Sequence, residues 1–120
     1  LACGVERAYP ATHAPLFERI AETGLLVSAY PFGSAPHRHR FLARNAIIAG
    51  LGEGMVVVEA ATRSGSLQAA RRANEFGRVV MACPGPVTSA MSVGAHALIR
   101  DGATLVTTAA DVDEAIRAGV

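Results

Sequence analysis

The chain has 120 residues, 51% of them apolar and 18% charged, with a formal net charge of +1. That composition builds one hydrophobic core and excludes an intrinsically disordered chain or a generic polycation. No apolar run nears the roughly 18 residues of a membrane-spanning helix, and the two cysteines, Cys3 and Cys83, lack C-x-x-C spacing. They read as buried free thiols suited to a reducing cytoplasm.

Leu1–Cys3 reads as the end of a strand. Helix follows over Ala14–Thr23, where Leu16, Phe17 and Ile20 form an apolar stripe and Gly24 stops it. Leu25–Ser28 reads as a strand, and Pro31, Gly33 and Pro36 punctuate a loop that carries His37, Arg38, His39 and Arg40. The next helix spans Phe41–Leu51, with Phe41, Ile47, Ile48 and Leu51 facing inward. Val56–Glu59 reads as a central strand, because three consecutive valines suit a strand covered on both faces. Gly65–Phe76 reads as helix, Val79–Ala82 as strand, Val93–Arg100 as helix and Leu105–Val106 as a short strand. Val112–Ala118 is a last helix with Asp111 as its cap. Alternating strands and helices imply an α/β, Rossmann-like fold: a mostly parallel sheet with helices on both faces, in one domain over 1–120. Ligands of such sheets bind at the carboxyl ends of the strands.

Two stretches fall on that edge. The first is Ser64–Gly65–Ser66, between a strand and a helix. Ser64 or Ser66 can cap the helix, Gly65 lets backbone approach a ligand, and the helix start offers N–H groups and a positive dipole end to phosphate. An ordinary capped turn fits the same residues. The second is a basic run: His37–Arg72 holds six arginines (38, 40, 44, 63, 71, 72) against Glu53 and Glu59, whereas the remainder holds five arginines against eight acids. A locally basic, globally balanced chain suits a defined phosphate-binding face. Arg38 and Arg40 are either a solvated loop or contacts to a nucleic-acid backbone. His37-x-His39 has no third metal ligand near it in sequence, so no metal is expected. Glu59, placed at the end of a buried strand, is expected to pair with an arginine or backbone N–H groups rather than to act as a base. S-G-S is not the G-x-S-x-G of a nucleophile elbow, so no catalytic residue is assigned.

Taken together the motifs resemble the DprA (Smf) family of bacterial DNA-processing proteins. The resemblance runs through C-G-V-E-R-A-Y-P at Cys3–Pro10, P-F-G at Pro31–Gly33, F-L-A-R-N-A-I-I-A-G-L at Phe41–Leu51, S-G-S-L at Ser64–Leu67, Pro84–Gly85, Ser92–Val93–Gly94 and Leu98–Ile99. Leu42 stands where the family usually has Pro, Ala46 where it has a second Arg, and Ala69 where it has Thr. The family's domain normally starts earlier, so the chain reads as lacking leading strand–helix units.

The resemblance implies a non-catalytic, cytoplasmic protein, without cofactor. It would bind single-stranded DNA and help load the recombinase RecA onto it during natural transformation. The phosphate contacts would come from Arg38, Arg40, Arg44, Asn45, Arg63, Ser64, Gly65 and Ser66. It also implies a homodimer, with Leu98, Ile99, Leu105 and Val106 as the expected interface. Aromatics are 5% of the chain, so backbone charge contacts should outweigh base stacking. The alternative is a nucleotide phosphoribohydrolase like the Lonely Guy family, which needs a carboxylate just after its phosphate loop. Here Leu67, Gln68, Ala69 and Ala70 follow Ser66, and the next carboxylate is Glu75.

Overall fold

A computed structural model describes residues 1–119, which group into two units, Leu1–Arg44 and Asn45 onward. In the first unit a 3-10 turn at Ala11–His13 leads into helix α1, Ala14–Thr23. Pro15 fits the first turn of α1, where no N–H is needed. The helix stops at Gly24, whose N–H donates to Ile20 O at 2.6 Å. Helix α2 spans Arg38–Leu51, and the unit boundary falls within it. It begins three residues before the expected Phe41, so Arg38 and Arg40 lie on a helix and not in a loop. Pro36 disfavours helix in the residue before it, and the arginines after it are good helix formers.

The strands expected at Leu1–Cys3 and Leu25–Ser28 are not formed. The two segments do meet: Leu1 N donates to Val27 O at 2.7 Å, and Ser28 Oγ to Cys3 O at 2.6 Å. One of these bonds uses a side chain, and Gly4 N pairs elsewhere, with Ser34 O at 3.1 Å. That is too little for the repeating ladder a strand requires.

The second unit holds β1 (Gly54–Val57), α3 (Gly65–Glu75), β2 (Val79–Ala82), α4 (Val93–Arg100), β3 (Thr104–Leu105) and α5 (Ala109–Gly119), with a 3-10 turn at Ala90–Ser92 before α4. The strands form one parallel sheet in the order β1-β2-β3, with Gly54 opposite Val79 and Val57 opposite Ala82. Alternation along the strands builds two half-cores. Val57, Val80 and Ala82 pack under α3 and α4 with Ala70, Ala95, Leu67 and Leu98. Val56, Val79 and Met81 pack under α5 with Val106, Val112, Ala115 and Ile116. Helices therefore cover both faces. Met81 and Val106 are the largest fully buried side chains, each contributing about 1.5–3 kcal/mol by leaving water.

Register with β2 corrects the extent of β1. The strand starts at Gly54, two residues earlier than expected, and ends at Val57, whose carbonyl accepts from Cys83 N at 2.9 Å. Only Val57 of the three valines is buried; Val58 is 65% exposed. Glu59 is exposed too, and among the described residues it has no ion-pair partner. Solvent removes the desolvation cost that motivated a partner. At α5 the capping roles are exchanged. Thr108 Oγ1 accepts from Asp111 N at 3.2 Å, and Asp111 Oδ2 accepts from Thr108 N at 2.9 Å and Thr107 N at 2.7 Å. This reciprocal capping box puts Asp111 inside the first turn, with Thr108 as the cap residue.

Candidate nucleic-acid interface

In the first unit the basic run is interleaved with aromatic rings. On α2, Arg40, Phe41 and Arg44 share a stripe by their 3–4-residue spacing. The Arg40 guanidinium lies 4.7 Å from the centre of the Tyr30 ring, and its Nη1 donates to Ala35 O at 2.6 Å. Arg40 thus ties the loop before α2 to the helix. Arg44 lies over Phe41 at 5.4 Å, and Phe41 in turn meets Tyr9 with ring centres 5.7 Å apart. The Arg44 Nε is buried and has no hydrogen-bond partner among the described residues. Arg44 makes no side-chain hydrogen bond among the described residues, while Arg40 spends one donor on structure. Arg38 is exposed, and His37 and His39 stack at 5.7 Å with nearly parallel rings.

Before α2, Gly33 N donates to Glu6 Oε1 at 2.6 Å. That bond, foremost, holds the Glu6 carboxyl below the usual carboxylate range. Sequence reading missed it; the sole hint is Glu6 within the C-G-V-E-R-A-Y-P segment.

In the second unit the Ser64–Ser66 loop starts α3. Ser64 is the cap, its Oγ accepting from Ser66 N at 3.1 Å. One first-turn N–H is therefore already occupied, and an anion would have to displace the Ser64 hydroxyl to reach it. Asn45 is buried and its Nδ2 donates to Gly65 O at 3.4 Å, anchoring the loop. This is a positioning role, with the side chain turned to the protein. Arg63 is exposed at the loop's mouth.

Two supports of this loop were not legible in sequence. Gly94 N donates to Ala60 O at 2.8 Å, and Ala60 N to Met91 O at 2.8 Å, docking the segment after β1 onto the start of α4. A Cβ at Gly94 would stand 2.6 Å from Ala60 O, so only glycine permits the approach. Gly85 N likewise donates to His96 Nε2 at 3.1 Å, fixing the Pro84–Pro86 loop at the carboxyl end of β2.

Of the residues expected at a dimer interface, Leu105 is 50% exposed on β3, Leu98 and Ile99 are half-buried against the α3–α4 half-core, and Val106 is 1% exposed inside the α5 half-core. Cys3 is buried, Cys83 half-buried, and both are free. Among the described residues no helix is long and apolar enough to cross a membrane.

Residues 1–117 match the family model of DNA recombination-mediator protein A. The chain is 52% identical over 114 residues to the putative DNA processing protein DprA of Mycobacterium tuberculosis, covering 95% of this chain and 29% of that protein. It is 45% identical over 118 residues to the protein Smf of Escherichia coli, covering 98% of this chain and 32% of that protein. It therefore spans about a third of the length of these relatives. Among solved structures, DNA processing protein A from Streptococcus pneumoniae superposes with a TM-score of 0.91 at 43% identity, over 94% of this chain and 40% of that one. DNA processing protein A from Helicobacter pylori, solved to describe its single-stranded DNA binding mode, gives a TM-score of 0.84 at 25% identity, over 98% of this chain and 53% of that one.

Proposed function

Because the chain belongs to the DNA recombination-mediator protein A family, whose members are also named DprA and Smf, we propose that it forms part of a protein that binds single-stranded DNA in recombination. The observation that carries this reading is Arg44, a half-buried arginine whose guanidinium lies over Phe41 and whose buried Nε has no partner among the described residues. An unspent fork of donors suits a phosphate oxygen. Arg38 and Arg63, both exposed and free of ion pairs among the described residues, add charge without sequence preference. Gly65 and Ser66 supply backbone at a helix start, and Asn45 positions them.

The protein acts by binding and not by catalysis. Leu67, Gln68, Ala69 and Ala70 follow Ser66, and Glu59 is exposed without a partner that would poise it as a base, which supports this reading over a phosphoribohydrolase. In the cell it would protect incoming single strands in the cytoplasm and deliver them to RecA during natural transformation, as a homodimer. Relatives named for DNA processing support the DNA-processing part of that assignment.

Fluorescence anisotropy of the full-length protein with labelled single strands and matched duplex tests the binding, beside an assay for free base released from nucleoside monophosphates. Preference for the single strand with no base release is the expected result. Duplex preference would overturn single-strand binding, and turnover abolished by Glu59→Gln would overturn the non-catalytic assignment.

A further inference from the structure

Three aromatic residues accompany the basic run, and two of them are already occupied. The Tyr30 ring lies under the Arg40 guanidinium, and the Phe41 ring meets both Arg44 and Tyr9. Phe32 alone is free, 76% exposed and without an aromatic or cationic partner among the described residues. Its backbone is nonetheless fixed. Ser34 N closes a turn onto Pro31 O at 3.2 Å, and Gly33 takes φ +85°, the position of a type II turn that glycine fills without strain. The Glu6 carboxylate then holds Gly33 N–H at 2.6 Å. A pinned turn presents the ring with its ordering cost already met by the fold. The space beside Gly33 is open: a Cβ there would meet nothing within 4 Å, so a flat group can approach.

We propose that Phe32 is a stacking platform for a base of single-stranded nucleic acid, beside the arginines of α2; this rests on the single-strand binding proposed above. The exposed face of a single ring between Pro31 and Gly33 matches the flat face of a base. The stretch from Tyr30 to Arg44 holds three arginines and two histidines and no carboxylate. Against the one carboxylate at the turn, Glu6, this leaves an excess of positive charge that complements a polyanion whose bases have free faces. Stacking is thereby a real component of binding beside the backbone charge contacts, and it tolerates any base.

The test uses the full-length protein and oligo-dT, with and without abasic sites, in anisotropy titrations. Phe32→Ala should weaken binding to oligo-dT on the order of 5- to 150-fold, the range for one stacked base. Phe32→Tyr should retain affinity and Phe32→Leu should not, while the salt dependence stays that of wild type because no charge is lost. Wild-type affinity for a fully abasic strand should fall by a comparable factor, with no further loss on Phe32→Ala. Melting curves should show all three variants folded, since the ring is exposed. If the wild type binds single strands and Phe32→Ala binds equally well, stacking at Phe32 is refuted while single-strand binding stands. Rescue by Phe32→Leu would also refute stacking. If the wild type does not bind single strands at all, both proposals fall.

Discussion

Arg40 and Arg44 are one helical turn apart, and both lie over aromatic rings, yet their alanine variants should behave oppositely. Arg40→Ala removes the 2.6 Å bond to Ala35 O and the contact with Tyr30. A hydrogen bond from a charged group contributes about 1.5–3 kcal/mol and an exposed cation–π contact about 0.5–1 kcal/mol. Because Arg40 is half-exposed, the low end applies, a loss of about 2 kcal/mol. Arg44→Ala also gives up a contact of about 0.5–1 kcal/mol with Phe41. It simultaneously removes a buried Nε that has no partner among the described residues, relieving a penalty of about 1–3 kcal/mol. The net effect on stability should lie between near zero and a gain of about 2 kcal/mol. Binding should reverse the order: Arg44→Ala loses a charge-assisted bond to phosphate, about 10- to 150-fold in affinity, and Arg40→Ala loses less. Denaturant unfolding and anisotropy on the same two proteins make the comparison. If Arg44→Ala destabilises as much as Arg40→Ala and binds DNA like wild type, Arg44 is a structural residue and its assignment as a phosphate ligand is wrong.

The capping box on α5 sets a pH dependence. Hydrogen bonds from Thr107 N, the Thr107 hydroxyl and Thr108 N hold the Asp111 carboxyl below its usual value of 3.8. A depressed folded-state value means its stabilisation is complete above 3.8 and is lost as pH falls through the folded-state value. Unfolding curves of wild type and Asp111→Asn should therefore converge in strong acid, and a gap that persists there would refute it. Thr108→Ala should cost about 1 kcal/mol at neutral pH by urea unfolding, and no loss would mean the hydroxyl does not cap. Gly94→Ala drives a methyl against the Ala60 and Ala61 carbonyls and should destabilise by about 1–3 kcal/mol or more, whereas unchanged stability would show that the loop can yield. Leu105→Glu should dissociate the proposed dimer in sedimentation without unfolding it, and Val106→Glu should unfold the domain. A monomeric wild type at tens of micromolar would contradict the first half.

Where periodicity and flanking residues agree, the sequence reads through to the fold. Helix Val93–Arg100, strand Val79–Ala82 and helix Ala14–Thr23 lie where their apolar patterns and glycine or proline boundaries place them. Ser64 caps α3 as its loop suggests. The misplacements around the strands share a cause, since each depends on a partner that local pattern does not encode, whereas the early start of α2 follows from Pro36 and the arginines beside it. The extent of β1 is set by its pairing with Val79, and exposure of Glu59 follows from the chain leaving the sheet after Val57. Leu1–Cys3 and Leu25–Ser28 have strand-like composition but share too few backbone bonds to form a ladder. At the candidate site the arginines were visible as composition; their different states were not. That Arg40 is engaged and Arg44 unengaged depends on Ala35 and on two rings whose positions are fixed by tertiary structure. The same holds for Phe32, which becomes conspicuous once Tyr30 and Phe41 are seen to be covered.

Salt dependence of single-strand affinity tests the proposed binding most directly, because it counts phosphates met by the protein. With about three to five phosphates met in all, log affinity should fall with log salt at a slope of about −2 to −4. Arg44→Ala should make that slope shallower by about 0.7, the share of one phosphate on a single strand. A slope near zero, or a slope that Arg44→Ala leaves unchanged, would contradict DNA binding through Arg44.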